Sequence, residues 1–170
     1  MTRLALVKGI SEGKIVASCR GRMEFGPRAL GSRSLLLSGV DPGLGERLNR
    51  SLGRDPLMPF GPVLTAEAAP KLLRGWGPDC VGLTGLMTVA LPASGRLKSV
   101  APGAVHRDGT ARAQVIERSF DPDLYSLLEG LPGQVCINTS LNLHGEPIVS
   151  STDEAVRAAE SAGASVLWLD

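Results

Sequence analysis

The 170-residue sequence has few aromatic residues, little net charge and no long apolar run, and each of these absences argues against a common class of protein. Aromatic residues make up 4% of it, which argues against a platform that stacks single-stranded bases. The net charge of +1 supplies no overall field, so a charge-driven nucleic-acid or membrane binder is not expected. No apolar run approaches the length of a membrane span or a signal peptide.

Cysteine is also scarce, and its spacing excludes a metal cluster. Cys19, Cys80 and Cys136 lie far apart, without CxxC or Cys/His ligand spacing, so we predict no metal site. Cys19 and Cys136 fall in apolar runs and are expected to be buried, inert thiols. Free thiols and the lack of a leader predict a reducing, cytoplasmic setting.

The usual catalytic motifs do not occur in the chain. It contains no GxGxxG, GxxxxGK[ST], HExxH or GxSxG pattern. A protein of this sequence that handled nucleotide phosphates would therefore bind them with scattered arginines and without a P-loop.

Strand-like and helix-like segments alternate along the chain, which predicts a single α/β domain with a mixed sheet over residues 1–170. Helix 41–53 is expected to begin at an Asp41 cap followed by Pro42. Residues 76–110 are rich in glycine and proline and are predicted to be loops around one strand near 86–91. The remaining predicted strands are 14–20, 32–39, 62–67, 134–137 and 165–169, and the remaining predicted helices are 66–76, 121–133 and 151–163.

The first polar cluster is the stretch GRMEFGPRALGSRS at residues 21–34. It places Arg22, Arg28 and Arg33 among glycines that permit close backbone approach. Arginine binds phosphate and carboxylate oxygens with a planar two-donor fork, which favours an anion cradle. A structural turn in which Glu24 pairs with one arginine explains the same pattern.

The second cluster follows the Asp108–Gly109 turn signal. The turn is expected to deliver Arg112 and Gln114 onto one face of the next strand, since alternate residues share a face. A cation at the edge of the sheet is the alternative interpretation of Arg112.

The third cluster directly follows the apolar segment QVCI at 134–137. Loops that leave strand ends are where α/β sheets bind ligands, so these side chains are candidates to read a ribose, an amide or a phosphate. A loop whose side chains satisfy one another is the alternative. The cluster comprises Asn138, Thr139, Ser140, Asn142, His144 and Glu146.

The motifs GRMEFGPRALGSRSLL and INTSLNLHGEPIV, with HRDGTARAQVI between them, resemble the C-terminal domain of the NodU/CmcH/TobZ-type carbamoyltransferases. The segment LNRSLGRDPLMPFGPVL matches more weakly where that family has a lysine-rich helix end and FRPFAP. The resemblance extends from about residue 9 to the C-terminus. It implies a YrdC-like α/β fold, with a twisted mixed sheet flanked by helices.

The resemblance also implies a reaction. In that family the domain binds ATP and carbamoyl phosphate with a divalent cation, taken here as Mg²⁺, and forms carbamoyl-adenylate. By motif position, Arg28 and Arg112 become the catalytic candidates. The candidates for binding substrate or nucleotide are Arg22, Arg33, Arg54, Asn138, Thr139, Ser140 and Asn142.

Two departures from the family pattern affect the expected activity. Gly53 (or a one-residue gap) and Met58 stand where the family has a lysine and an arginine, which leaves Arg54 as the nearby cation. The chain also starts where the family would already have its transferase domain, so a stand-alone domain with a separate transferase partner is expected. The alternatives are an attenuated module that binds a nucleotide or a partner, and, least favoured, a binder of double-stranded RNA.

Overall fold

A computed structural model describes residues 2–55 and 58–169 and shows a central mixed sheet of six strands. Its spatial order is β6-β3-β7-β2-β1-β8. Neighbours β1/β8 and β3/β6 are parallel, whereas β1/β2, β2/β7 and β3/β7 are antiparallel. The strands are β1 Val16–Cys19, β2 Arg33–Leu37, β3 Gly61–Thr65, β6 Gln114–Ile116, β7 Val135–Ser140 and β8 Val166–Leu169, and a separate pair is β4 Leu91–Pro92 with β5 Thr110–Ala111.

Helices cover both faces of this sheet. The helices are α1 Arg3–Ser11, α2 Pro42–Ser51, α3 Ala69–Leu72, α4 Val81–Gly85, α5 Gly95–Val100, α6 Pro122–Glu129 and α7 Thr152–Ser161, and single 3₁₀ turns span Pro78–Cys80, Pro102–Ala104 and Pro132–Gln134. All five residues of β2 and of β3 are buried, as expected for strands with apolar layers on both sides.

Two apolar clusters fill the layers on either side of the sheet. On one face α1 and α6 contribute Leu6, Ile10 and Leu124. The other face is covered by α2, α3, α5 and α7, with Leu48 and Leu97 fully buried. The predicted α/β domain with a mixed sheet is therefore confirmed.

Capping side chains fix where the predicted helices begin. The Asp41 carboxylate accepts the Gly43 N–H at 2.9 Å, and Asp121 accepts the Leu124 N–H at 2.9 Å. Ser151 and Glu154 form a reciprocal capping box at the start of α7. Asp121 also pairs with the buried guanidinium of Arg20 at 2.6 Å, which ties α6 to the end of β1.

Several local predictions were wrong. The predicted helix 66–76 is reduced to α3, because Leu73 is already extended and forms an isolated bridge to Ala93. The predicted loops of 76–110 contain α4 and α5, and the strand near 86–91 is only β4. Helix α1 was not anticipated.

The strand after the Asp108–Gly109 turn is also broken. Thr110 and Ala111 pair with β4, whereas Gln114 begins β6 beside β3, so Arg112 lies between two strands of different sheets. Strand β7 runs on through Ser140, so the third polar cluster begins inside the sheet.

Cys19 and Cys136 are buried free thiols, as predicted, and desolvation raises the pKa of Cys136. Within residues 2–55 and 58–169, no helix is long and apolar enough to cross a bilayer. The same residues contain no group of three or more His, Cys, Asp or Glu side chains placed to hold a metal ion.

Candidate active site

The loop between β1 and β2 is closed by a single carboxylate oxygen. Glu24 Oε1 accepts the backbone N–H groups of Leu30 (2.7 Å), Ser32 (2.7 Å) and Arg33 (3.2 Å). Glu24 Oε2 is buried and has no hydrogen-bond partner among the described residues, so the pairing of Glu24 with an arginine that the turn interpretation requires is wrong. Arg28 projects from this closed loop and is exposed.

The other two arginines of the motif do not line the cavity described below. Arg33 is 6% exposed and donates to the carbonyl oxygens of Arg20 (2.7 Å) and Gly21 (3.0 Å). These bonds brace the loop against the end of β1. Arg22 is exposed. Ligand binding by Arg22 and Arg33 stays a prediction.

A buried pair of amides joins the loop to the sheet. Gln114 Nε2 donates to the Leu30 carbonyl at 2.6 Å, and Asn138 Nδ2 donates to the Ala29 carbonyl at 3.1 Å. The two side chains meet where Asn138 Nδ2 also donates to Gln114 Oε1 at 2.7 Å. The residues that follow Arg28 are thus anchored to β6 and β7.

Arg54 is clamped against the end of β7. Its Nη1 donates to Thr139 Oγ1 at 2.9 Å, and its Nη2 donates to Ser140 Oγ at 3.1 Å and Asn142 Oδ1 at 2.8 Å. Ser140 Oγ in turn donates to Asn142 Oδ1 at 2.5 Å. Desolvation lowers the pKa of Arg54. Three members of the third cluster, Thr139, Ser140 and Asn142, therefore bind a protein cation.

Arg112 lines the same space without such partners among the described residues. It is half-buried, and its Nε is buried with no hydrogen-bond partner in residues 2–55 and 58–169. Desolvation, and then the positive charge of Arg28, lower the pKa of Arg112. The two cations repel each other, so an anion placed between them would be stabilised.

These side chains line one cavity of about 350 Å³, which we call the arginine cavity. It carries three arginines, and none of the described residues lining it is acidic. Arginine forks in a partly desolvated space form a site for a polyanion. The lining residues are Pro27, Arg28, Ala29, Arg54, Met58, Pro59, Phe60, Gly61, Met87, Arg112, Asn138, Thr139, Ser140, Asn142, His144 and Gly145.

Gly53 and Met58, where the resemblance leads us to expect cations, differ in their relation to the arginine cavity. Met58 is 43% exposed and lines it. Gly53 does not line it and has φ +68°, a conformation that disfavours a lysine there.

The sequence did not indicate Met87, which is buried and lines the cavity with φ +55°. A positive φ is uncommon in residues other than glycine, and no pattern of apolar residues in the sequence predicts where one occurs.

A family model described as carbamoyltransferase C-terminus matches residues 7–170. Nodulation protein U of Rhizobium tropici is 34% identical over 84% of this chain, which covers 24% of that protein. The 3'-hydroxymethylcephem-O-carbamoyltransferase of Streptomyces clavuligerus is 33% identical over 92% of this chain, which covers 29% of that enzyme. The chain thus spans roughly a quarter of the length of these curated relatives.

Solved structures share the fold. Full-length HypF, in its phosphate- and nucleotide-bound form, aligns with 99% of this chain at a TM-score of 0.73 and 22% identity, and the chain covers 24% of it. P. abyssi Sua5 complexed with L-threonine aligns with 99% at a TM-score of 0.63 and 17% identity, and the chain covers 46% of it. The YrdC-like α/β fold is confirmed.

Proposed function

We propose that this chain, which belongs to the carbamoyltransferase C-terminal family, binds ATP and carbamoyl phosphate in the arginine cavity and forms carbamoyl-adenylate. The observation that carries the proposal is the convergence of Arg28, Arg54 and Arg112 on one cavity whose described lining contains no carboxylate. Both proposed ligands are polyanions. The name of the Streptomyces clavuligerus relative also states a carbamoyl transfer.

The proposed reaction balances in two steps. Carbamoyl phosphate and water give carbamate and inorganic phosphate. A carbamate oxygen then bonds to the α-phosphorus of ATP, while the bond from that phosphorus to the β-bridging oxygen breaks and pyrophosphate leaves. Negative charge accumulates on the leaving group, so fixed cations beside it lower the barrier.

The arginines would divide this work according to their existing bonds. Arg28 and Arg112 have no hydrogen bond to the described residues, so their forks are available to phosphate oxygens. Arg54 already donates to Thr139, Ser140 and Asn142, and so holds the end of β7 in shape. We assign Arg28 and Arg112 to the reacting phosphates, and Arg54 mainly to positioning.

The described cavity residues do not fit a resident magnesium ion. Protein-bound Mg²⁺ is usually held by one or two carboxylates, and the described lining has none. No step is assigned to a protein-bound ion. We propose Mg²⁺ only as the ion that the ATP phosphates carry.

We propose that a transferase domain outside residues 1–170 transfers the carbamoyl group to a hydroxyl acceptor. The curated relatives are about four times longer than the segment they share with this chain. The acceptor chemistry is therefore proposed to lie outside this segment.

A second candidate, an attenuated nucleotide- or partner-binding module, is favoured by Met58. This thioether lines the cavity where the resembling family carries an arginine. In that case ATP would bind without turnover.

Pyrophosphate and phosphate release from ATP and carbamoyl phosphate test both candidates. We expect both products, and we expect pyrophosphate to vanish when carbamoyl phosphate is omitted. ATP binding by calorimetry without pyrophosphate release would favour the module. Absence of both binding and release would contradict the first candidate and the nucleotide-binding form of the second.

A further inference from the structure

Asn138 carries a buried acceptor that the protein itself does not use. The residue is 2% exposed and lines the arginine cavity, and its Oδ1 has no hydrogen-bond partner in the part of the chain that the structure describes. Buried polar atoms are nearly always paired in folded proteins, so an orphan beside a cavity points to a ligand.

The orientation of this amide is forced by its neighbours. The Leu30 carbonyl can only accept, so the nitrogen of Gln114 must face it, and Gln114 Oε1 must face Asn138. Asn138 therefore presents its Nδ2 to Gln114 Oε1, and the second hydrogen of Nδ2 serves the Ala29 carbonyl. Flipping the Asn138 amide would set oxygen against oxygen at both contacts.

Asn138 Oδ1 differs from the neighbouring side-chain oxygens of the arginine cavity, which accept hydrogen bonds from the protein. The nearby oxygens Thr139 Oγ1, Ser140 Oγ and Asn142 Oδ1 all accept from Arg54. Arg112 Nε is a buried donor without a partner in the same lining. Among the described residues that line the cavity, Asn138 Oδ1 is thus a buried, unpaired acceptor and Arg112 Nε is a buried, unpaired donor.

A carbamoyl group has the complementary pair, an N–H donor and a carbonyl acceptor on one carbon. Acetyl phosphate has the same phosphate and carbonyl, but a methyl group of similar size replaces the amino group. A methyl group cannot donate to Asn138 Oδ1.

We propose that Asn138 Oδ1 accepts an N–H of the carbamoyl group and so selects carbamoyl phosphate over other acyl phosphates, with Gln114 as the positioning residue that fixes the Asn138 amide. This inference rests on the proposed function, since it assigns the part of the cavity that reads the carbamoyl end. A site built to bond a substrate N–H rejects an isostere without it, because its buried acceptor is then left unpaired.

The test compares the affinities of carbamoyl phosphate, acetyl phosphate and inorganic phosphate for the 170-residue chain by titration calorimetry. We expect carbamoyl phosphate to bind at least about 10-fold more tightly than acetyl phosphate. Equal affinity of the two acyl phosphates would overturn this inference while leaving the anion site intact. Failure of all three to bind would overturn the proposed function together with it.

Variants place the selectivity on the amide pair. Asn138→Leu should bring the carbamoyl-to-acetyl affinity ratio to about one while inorganic phosphate still binds. Gln114→Met should lower the same ratio, since it frees the Asn138 amide to rotate. If both variants keep the wild-type ratio of carbamoyl phosphate to acetyl phosphate affinity, the assignment is overturned. If neither variant folds, the ratio measured for the wild type decides.

Asn49→Leu is the matched control. Asn49 is 1% exposed, and its Oδ1 also has no partner among the described residues. It does not line the arginine cavity, and its Nδ2 donates to the Met58 carbonyl at 3.2 Å, on a lining residue to which no contact with the carbamoyl group is assigned. The carbamoyl-to-acetyl affinity ratio of Asn49→Leu should equal that of the wild type. A fall in this ratio as large as that in Asn138→Leu would overturn the assignment.

Discussion

The two sides of the arginine cavity both carry arginines, but the arginine on one side is hydrogen-bonded to the protein and those on the other side are not hydrogen-bonded to described residues. On the β7 side, Arg54 is 7% exposed and its donors are occupied by Thr139, Ser140 and Asn142. On the loop side, Arg28 is exposed, and Arg112 has a buried Nε without a partner. A guanidinium with protein partners stabilises the fold, whereas one without them is available to an anion.

The largest effect is expected from emptying the loop side. Arg112→Ala and Arg28→Ala should each lower kcat/KM for pyrophosphate release by about 100- to 1,000-fold, because each removes charge stabilisation of the leaving group. Thermal unfolding should change little, since neither side chain bonds to described residues. The control is Arg74→Ala at an exposed arginine outside the cavity. Unchanged turnover in Arg112→Ala would exclude its catalytic assignment.

Removing the β7-side cation should act on stability. Arg54→Ala leaves the half-buried acceptors of Thr139, Ser140 and Asn142 without their donor, so the free energy of unfolding should fall by about 2–4 kcal/mol. Denaturant titration measures this, with Arg28→Ala as the comparison. Equal free energies of unfolding for Arg54→Ala and Arg28→Ala would contradict the assignment of Arg54 to stability and of Arg28 to ligand binding.

Adding a cation at Met58 sharpens the comparison. Met58→Arg places a guanidinium on the cavity lining at a position 43% exposed, so it should raise kcat/KM by about 10-fold. Met23→Arg is the matched control, because Met23 is 44% exposed and lies outside the lining. A much larger gain at Met58 would identify the natural protein as the attenuated module, and no gain would show that the lost arginine is not limiting.

The smallest effect is expected from the carboxylate that closes the loop. Glu24→Gln keeps an acceptor for the N–H groups of Leu30 and Ser32 but loses the charge assistance, so kcat/KM should fall by about 3-fold. Glu24→Ala removes the acceptor and should cost more. Steady-state kinetics with Glu160→Gln, at an exposed position, controls for net charge. An alanine variant with wild-type kinetics would show that loop closure does not position Arg28.

Local sequence patterns predicted the elements whose causes are local. Asp41, Asp121 and Ser151 cap helices with their own side chains, so α2, α6 and α7 were located correctly. The segment 76–110 was mispredicted because its short helices have no strong periodicity and depend on packing.

The sequence by itself determined the motifs from which the candidate site is built: those around Arg28, Arg112 and Asn138 were recognisable before any fold was known. It did not indicate Met87, and it included Arg22 and Arg33, which do not line the cavity.

Only the tertiary structure decided the states of the site residues, because hydrogen-bond partners come from distant segments. Arg54 meets Thr139 across 85 positions, and Asn138 meets Ala29 across 109. Spacing along the chain cannot show which arginine already has hydrogen-bond partners in the protein. It also cannot show that Gln114 Oε1 accepts from Asn138 Nδ2 and thereby fixes the orientation of the Asn138 amide.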